Sequence, residues 1–240
     1  MLEVSALFLG EWLKLEVSPY FAYVTDAERR SRLERYRSPE GRSRSLFAEL
    51  FARWRLARAA GVEPAAVRLI HDKAGAPVWA GGGLYVSLSH SGGYVAVGIG
   101  DGPLGVDVEC RRRIGLDIAR RWFRPKEYDY LRALPPEAQR RQLLRFWTLK
   151  ESALKRTGAG LAGGLDSVDC RALIEAGRSR LDDDVPAGRS FSLPGDDVLS
   201  VVAPRASLPE TVRLFHIARR ERGVYGGLAF EDRVPLPEMA

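Results

Sequence analysis

Two tracts of the chain alternate or recur with periods that define elements before any chemistry is considered. In Gly105-Val-Asp-Val-Glu109, apolar Val106 and Val108 alternate with acidic neighbours. That is the period of a strand, with the valines packed behind it and both carboxylates, Asp107 and Glu109, on the other face. Between Pro136 and Gly158, the apolar residues Leu143, Phe146, Trp147, Leu149, Ala153 and Leu154 form one helical arc. Glu151 and Lys155 lie one turn apart at its edge, so the helix presents an acid and a cation side by side. Lys150 falls inside the arc, where an unpaired ammonium is costly, and is expected to snorkel or to pair with a carboxylate.

A second helix follows the same plan. Pro39-Glu40 opens it, Leu46 and Phe47 occupy its apolar side, and Gly61 closes it; Pro136-Glu137, Leu143, Leu144 and Gly158 repeat those positions 97 residues later. After each helix comes an apolar strand, a polar turn and another strand, at residues 86–97 and again at 191–202. The pattern predicts an α/β (α+β) fold of two similar halves related by a pseudo-twofold axis, residues 1–102 and 103–240. Their junction is the turn-rich Asp101-Gly102-Pro103, and the active site is expected in the cleft between them.

Composition narrows the partners. The chain has 240 residues, 45% hydrophobic and 28% charged, as in ordinary globular proteins, and a net charge of +6 that favours anionic partners. Two cysteines, Cys110 and Cys170, and three histidines form no readable disulfide framework or zinc site, and a reducing cytoplasm is the simplest home. No run approaches the length of a membrane span, and residues 1–20 lack the pattern of a signal peptide.

Asp107, Glu109 and Glu151 are oxygen donors of the kind a hard cation takes together with phosphates and water; Mg²⁺ fits, and Mn²⁺ accepts the same ligands. Read singly, each tract has a plain alternative, a solvated strand face for the first and a helix salt bridge for the second. Arg29, Arg30, Arg32, Arg35, Arg37, Arg42 and Arg44 crowd around Tyr36, as a solvated face or as a phosphate site.

Taken jointly, the tracts resemble the surfactin-type 4'-phosphopantetheinyl transferases. That family shows a G-[IV]-D-x-E strand and a W-x-x-K-E-[SA]-x-x-K helix, complete here as Gly105-Val-Asp-Val-Glu109 and Trp147-Thr-Leu-Lys-Glu-Ser-Ala-Leu-Lys155. Residues 86–98, Val-Ser-Leu-Ser-His-Ser-Gly-Gly-Tyr-Val-Ala-Val-Gly, resemble its strand, S-H-S turn and strand. Residues 123–127 and 158–161 are weaker echoes. The likeness covers roughly residues 25–165.

The resemblance implies transfer of the 4'-phosphopantetheine arm of coenzyme A to a serine of an apo acyl or peptidyl carrier protein, with Mg²⁺, releasing adenosine 3',5'-bisphosphate. It implies that Asp107, Glu109 and Glu151 hold the metal, that Glu151 and Lys155 are catalytic, and that Arg37, Arg44, Ser89, His90 and Lys155 bind the cofactor. The first half would take the nucleotide end and the second would carry the metal site and catalytic helix. One position departs from the pattern: Gly75-Ala76-Pro77 stands where the family shows Gly-Lys-Pro, and Lys73, three residues earlier, reads either as a lysine reaching the same region or as a solvated loop residue. Glu127 reads either as an aid to a metal-bound water or as a helix-surface glutamate. Phe123 and Arg124-Pro125 suit a docking surface for an acidic carrier, and Phe123 also suits the core. Fatty-acid, polyketide and non-ribosomal-peptide carriers all stay open, and a monomer without nucleic-acid or membrane partners is expected. A metal-dependent phosphodiesterase or nuclease uses similar carboxylates but leaves the S-H-S tract unexplained. A nucleic-acid-binding protein leaves the carboxylates without a role.

Overall fold

The chain opens with β1 (Leu2–Phe8), α1 (Ala27–Glu34) and α2 (Pro39–Ala60). Asp26 caps α1 by accepting the Arg29 N–H at 2.6 Å, and Ser38 caps α2 by accepting the Gly41 N–H at 3.2 Å. Caps of this kind contribute about 1 kcal/mol each. Pro39 fits the first helical turn because its missing N–H would have no partner there, and Gly61 ends α2 in the left-handed region at φ 69°. The computed structural model describes residues 1–24, 26–72, 75–110, 114–179, 183–233 and 235–239.

Next come β2 (Leu69–His71), β3 (Pro77–Trp79), β4 (Tyr85–Ser91), β5 (Tyr94–Gly100) and β6 (Gly105–Glu109). Then follow α3 (Leu116–Trp122), α4 (Pro125–Ala133), α5 (Pro136–Thr157) and α6 (Cys170–Arg178). The last elements are β7 (Pro186–Leu193), β8 (Asp197–Pro204), β9 (Thr211–Val224), β10 (Leu228–Asp232) and β11 (Leu236–Pro237). α5 repeats the punctuation of α2, with Pro136 in its first turn and Gly158 at φ 70° as its stop. The mixed α/β class read from the pattern is the class observed.

One sheet has the order β10-β9-β1-β5-β4, with β11 beside β9, and another has the order β6-β8-β7. Their faces share a core because β5 is buried on both sides. Val95, Val97 and Ile99 pack with Leu46, Phe47, Leu50 and Phe51 of α2, while Tyr94 and Ala96 pack with Val106, Val108, Leu199 and Val201 of the smaller sheet. On the far side of that sheet, Val202 meets Leu149 and Phe146 of α5. The result is a stack of α2, large sheet, small sheet and α5, each strand face alternating as the period of two requires.

The final strands were not legible in the sequence. β9 runs parallel to β1, pairing Ser5 with Arg213 and Phe8 with His216, so residues 211–237 extend the sheet that contains β4 and β5. Phe215 and Phe230 join Phe51 and Trp54 in an aromatic cluster with centroids 5.1–5.5 Å apart across the contacts between strands and helix. Among the described residues, no helix is long and apolar enough to cross a membrane.

Candidate functional site

Strand β6 lies along β4, and hydroxyls of β4 stitch the two together. Ser87 Oγ accepts the Val106 N–H at 3.0 Å, Ser89 Oγ donates to Asp107 Oδ1 at 2.7 Å, and Ser91 Oγ donates to Glu109 Oε1 at 2.6 Å. The sequence pattern expects Val86 and Leu88 to be the hidden residues of β4, with the Ser-His-Ser tract as a turn. Val86 and Leu88 are partly buried against the core beneath α2, but the opposite face is covered too: Ser87, Ser89 and Ser91 are buried, and the turn is made by Gly92 and Gly93. Their burial is tolerated because every one of these hydroxyls has a partner on β6. The acidic strand and the S-H-S tract therefore form one unit.

Helix α5 lies over this unit at Gly105. A side-chain carbon at that position would overlap the Ser152 carbonyl oxygen, so only glycine lets the helix come so close. Two polar groups hold α5 to β8 from beneath: Thr148 Oγ1 lies 2.7 Å from Ser200 Oγ, and Ser152 Oγ donates to the Ser200 carbonyl at 3.0 Å. Ser190 Oγ extends the chain of hydroxyls at 2.8 Å from Ser200 Oγ. These buried contacts account for the threonine and serine inside the helical motif.

The approach brings Lys155 onto β6. Its Nζ donates to Asp107 Oδ1 at 2.7 Å and to the Val106 carbonyl at 3.1 Å. Glu151 is half-buried, and its carboxyl is pushed up by burial and by the nearby Asp107 charge, with Lys155 opposing and Glu109 adding to the rise. Asp107 and Glu109 are both largely buried. Among the described residues, no three His, Cys, Asp or Glu side chains are gathered closely enough to hold a metal ion, and the ammonium of Lys155 neutralises part of the acidic set. The donor chemistry still suits a hard cation. The residues are all carboxylates, and the crowding that lifts Glu151 is what a bound cation relieves.

His90 lies near the end of β4, between Ser89 and Ser91 and on the opposite strand face from them. Its proton affinity is held below the usual histidine range by partial burial and by the charges of Arg44, Lys155 and Arg29, although part of the side chain stays exposed. Arg44 donates to the Gly92 carbonyl at 3.2 Å, which ties α2 to the turn beside His90. Arg37 is exposed in the bend between α1 and α2. Lys73 lies outside the described residues. Ala76, at the position where the family's lysine is absent, is exposed, and its N–H donates to Asp72 Oδ1 at 2.8 Å.

Glu127 is neither a surface glutamate nor open to solvent. It is 2% exposed and lies 2.6 Å from Lys150 Nζ, which is itself fully buried. Lys150 thus takes the pairing option of the two expected for it. Phe123 belongs to the core, with Lys150 Nζ 4.9 Å above its ring. Sequence reasoning overlooked Ser87 and Ser91 as partners of β6. The available signal was the matched spacing, since Ser89 and Ser91 each precede their carboxylate by 18 residues.

Comparison with known proteins converges on the same tracts. Residues 103–187, which include β6 and α5, match the 4'-phosphopantetheinyl transferase superfamily. A Bacillus subtilis 4'-phosphopantetheinyl transferase is 33% identical over 149 residues, 62% of this chain and 66% of that protein. The 4'-phosphopantetheinyl transferase Sfp of Bacillus subtilis strain 168 is 27% identical over 171 residues, 71% of this chain and 76% of its own. The 4'-phosphopantetheinyl transferase AcpT of Salmonella typhimurium is 33% identical over 136 residues, 55% of this chain and 68% of its own. The chain thus spans just under two thirds of the first of these relatives and more of the other two. With complete G-V-D-V-E and W-T-L-K-E-S-A-L-K tracts set against each other in space, this chain belongs to the 4'-phosphopantetheinyl transferase superfamily.

Proposed function

We propose that the chain transfers the 4'-phosphopantetheine arm of coenzyme A to a serine of an apo carrier protein. The observation that carries this reading is the contact set of Asp107, which takes Ser89 from the S-H-S strand and Lys155 from the long helix on one oxygen. It joins the residues a nucleotide end needs to those a pyrophosphate needs.

In this reaction the serine hydroxyl oxygen bonds to the phosphorus bearing pantetheine, the bond from that phosphorus to the bridging oxygen breaks, and adenosine 3',5'-bisphosphate leaves. Mg²⁺, when bound by Asp107, Glu109 and Glu151, supplies charge neutralisation at the pyrophosphate oxygens. Glu151, half-buried on α5 one turn from Lys155, takes the serine proton. Lys155, already poised at Asp107, offers its ammonium to phosphoryl oxygens as charge moves to the leaving group. Arg37, Arg44, Ser89 and His90 hold the nucleotide end; Lys73 is assigned to the cofactor phosphates by the family resemblance alone.

We read residues 1–102 as the nucleotide half and 103–240 as the metal and catalytic half. The +6 charge suits an acidic carrier and speeds its encounter. The test is intact-protein mass spectrometry of an apo carrier incubated with the chain, coenzyme A and Mg²⁺. A mass gain of one phosphopantetheine arm, absent with chelator and in Glu151→Ala, is the expected result. Binding of coenzyme A without any gain across fatty-acid, polyketide and peptide carriers would overturn it.

A further inference from the structure

We propose that Glu127 and Lys150 form a buried positioning pair that fixes the rotation of α5, and with it the Glu151 carboxylate, and that Glu127 takes no part in proton transfer. Every polar atom of the pair is committed. Lys150 Nζ lies 2.6 Å from Glu127 Oε2 and donates to the carbonyls of Leu165 at 2.9 Å and Val168 at 2.7 Å. Glu127 Oε1 accepts the Cys170 N–H at 2.8 Å, and Oε2 accepts the Arg124 N–H at 3.2 Å. A carboxylate so enclosed, 2% exposed, has no route to a serine arriving from solvent.

The pair joins α4, α5, the turn at residues 165–168 and the first residue of α6. On α5 its place is informative. At about 100° per residue, Lys150 lies on the side of the helix roughly opposite Thr148 and Ser152, which are fixed to Ser200. The helix is thereby held from two sides, and Glu151 and Lys155 occupy the flank between them. Buried ion pairs are poor sources of stability compared with apolar side chains of similar volume, so a pair at this position is better accounted for by geometry than by strength.

The inference rests on the proposed metal and transferase reading, and the test separates the two. Glu127→Gln, Lys150→Met and the double variant Glu127→Leu with Lys150→Met would be compared for Mn²⁺ affinity, thermal unfolding and kcat. Each single change should weaken Mn²⁺ binding by about tenfold to a hundredfold, as loss of a supporting contact does. The double variant, with an apolar pair in place of the charges, should regain most Mn²⁺ affinity and kcat although position 127 carries no carboxylate. Glu127→Gln with full Mn²⁺ affinity and lost kcat would overturn the proposal, as would a double variant that regains affinity but not turnover. If the double variant does not fold, the singles decide: matched loss of Mn²⁺ affinity supports the pair, and unchanged affinity overturns it. A wild-type chain that binds no Mn²⁺ also overturns it. A wild-type chain that binds Mn²⁺ without transferring phosphopantetheine removes the reaction while leaving the pair testable by affinity.

Discussion

Gly105 and Ser152 are in direct backbone contact: the Ser152 carbonyl occupies the space that any side chain at Gly105 would need. This single approach sets the distance between β6 and α5, and so places Lys155 on Asp107. Gly105→Ala must push the helix away or shift the strand. A displacement near 1 Å at a catalytic constellation costs about a hundredfold in rate. We expect a loss of kcat/KM of that order together with a lower melting temperature. Gly102→Ala, where nothing lies within 4 Å of the added carbon, should leave both unchanged. Steady-state kinetics and thermal melts of the two variants check this.

Ser91 bears on stability more than on chemistry. Its hydroxyl donates to Glu109 Oε1 at 2.6 Å in a buried contact and accepts the part-buried Cys110 N–H at 3.3 Å. Hydrogen bonds to charged groups contribute about 1.5–3 kcal/mol, and Ser91→Ala removes the donor while leaving the carboxylate buried. Urea unfolding should show a loss in that range. A change below about 0.5 kcal/mol, the scale of an ordinary surface substitution, would count against the contact.

Much of this site is written locally. The Pro39–Gly61 and Pro136–Gly158 punctuation and the alternation of residues 105–109 mark α2, α5 and β6 because caps, turns and pleats are short-range properties. The arrangement between elements is not local. The hydroxyls of Ser87, Ser89 and Ser91 find β6 through a strand alignment that neither strand specifies alone, and the hydrophobic pattern gives no cue that serines are buried. β9 joins β1 across some 200 residues of chain, a parallel pairing that leaves no short hairpin signature. Lys150 is legible as a charge in an apolar arc, but its partner Glu127 looks like a surface helix residue until α4 is packed on α5.

His90 links pH to ligand binding. Its lowered proton affinity keeps it neutral at pH 7. The folded state resists its protonation, so its contribution to stability is present above the unfolded value of 6.5 and is lost as pH falls below it. A phosphate bound beside His90 favours the protonated ring. Coenzyme A binding near neutral pH should therefore draw in protons. Calorimetric titrations in buffers of different ionisation enthalpy should show this uptake in the wild-type chain and its disappearance in His90→Ala. Equal uptake in both would place the phosphate elsewhere.

Ala76 is the position where this chain departs from the lysine of its family's Gly-Lys-Pro tract, and it can be restored with little structural cost. Its side chain is exposed, while its backbone is tied to Asp72: the Asp72 N–H donates to the Ala76 carbonyl at 3.0 Å, and the Ala76 N–H donates to the Asp72 side-chain Oδ1 at 2.8 Å. Ala76→Lys keeps both. A single exposed ammonium near phosphate is worth about 0.2–1 kcal/mol, which corresponds to at most about a fivefold drop in the KM for coenzyme A. The gain should shrink at high salt, because exposed charges are screened beyond about 10 Å at 0.1 M ionic strength. The carrier-protein KM should not move. An unchanged KM for coenzyme A at low salt would mean that Ala76 does not face the cofactor phosphates.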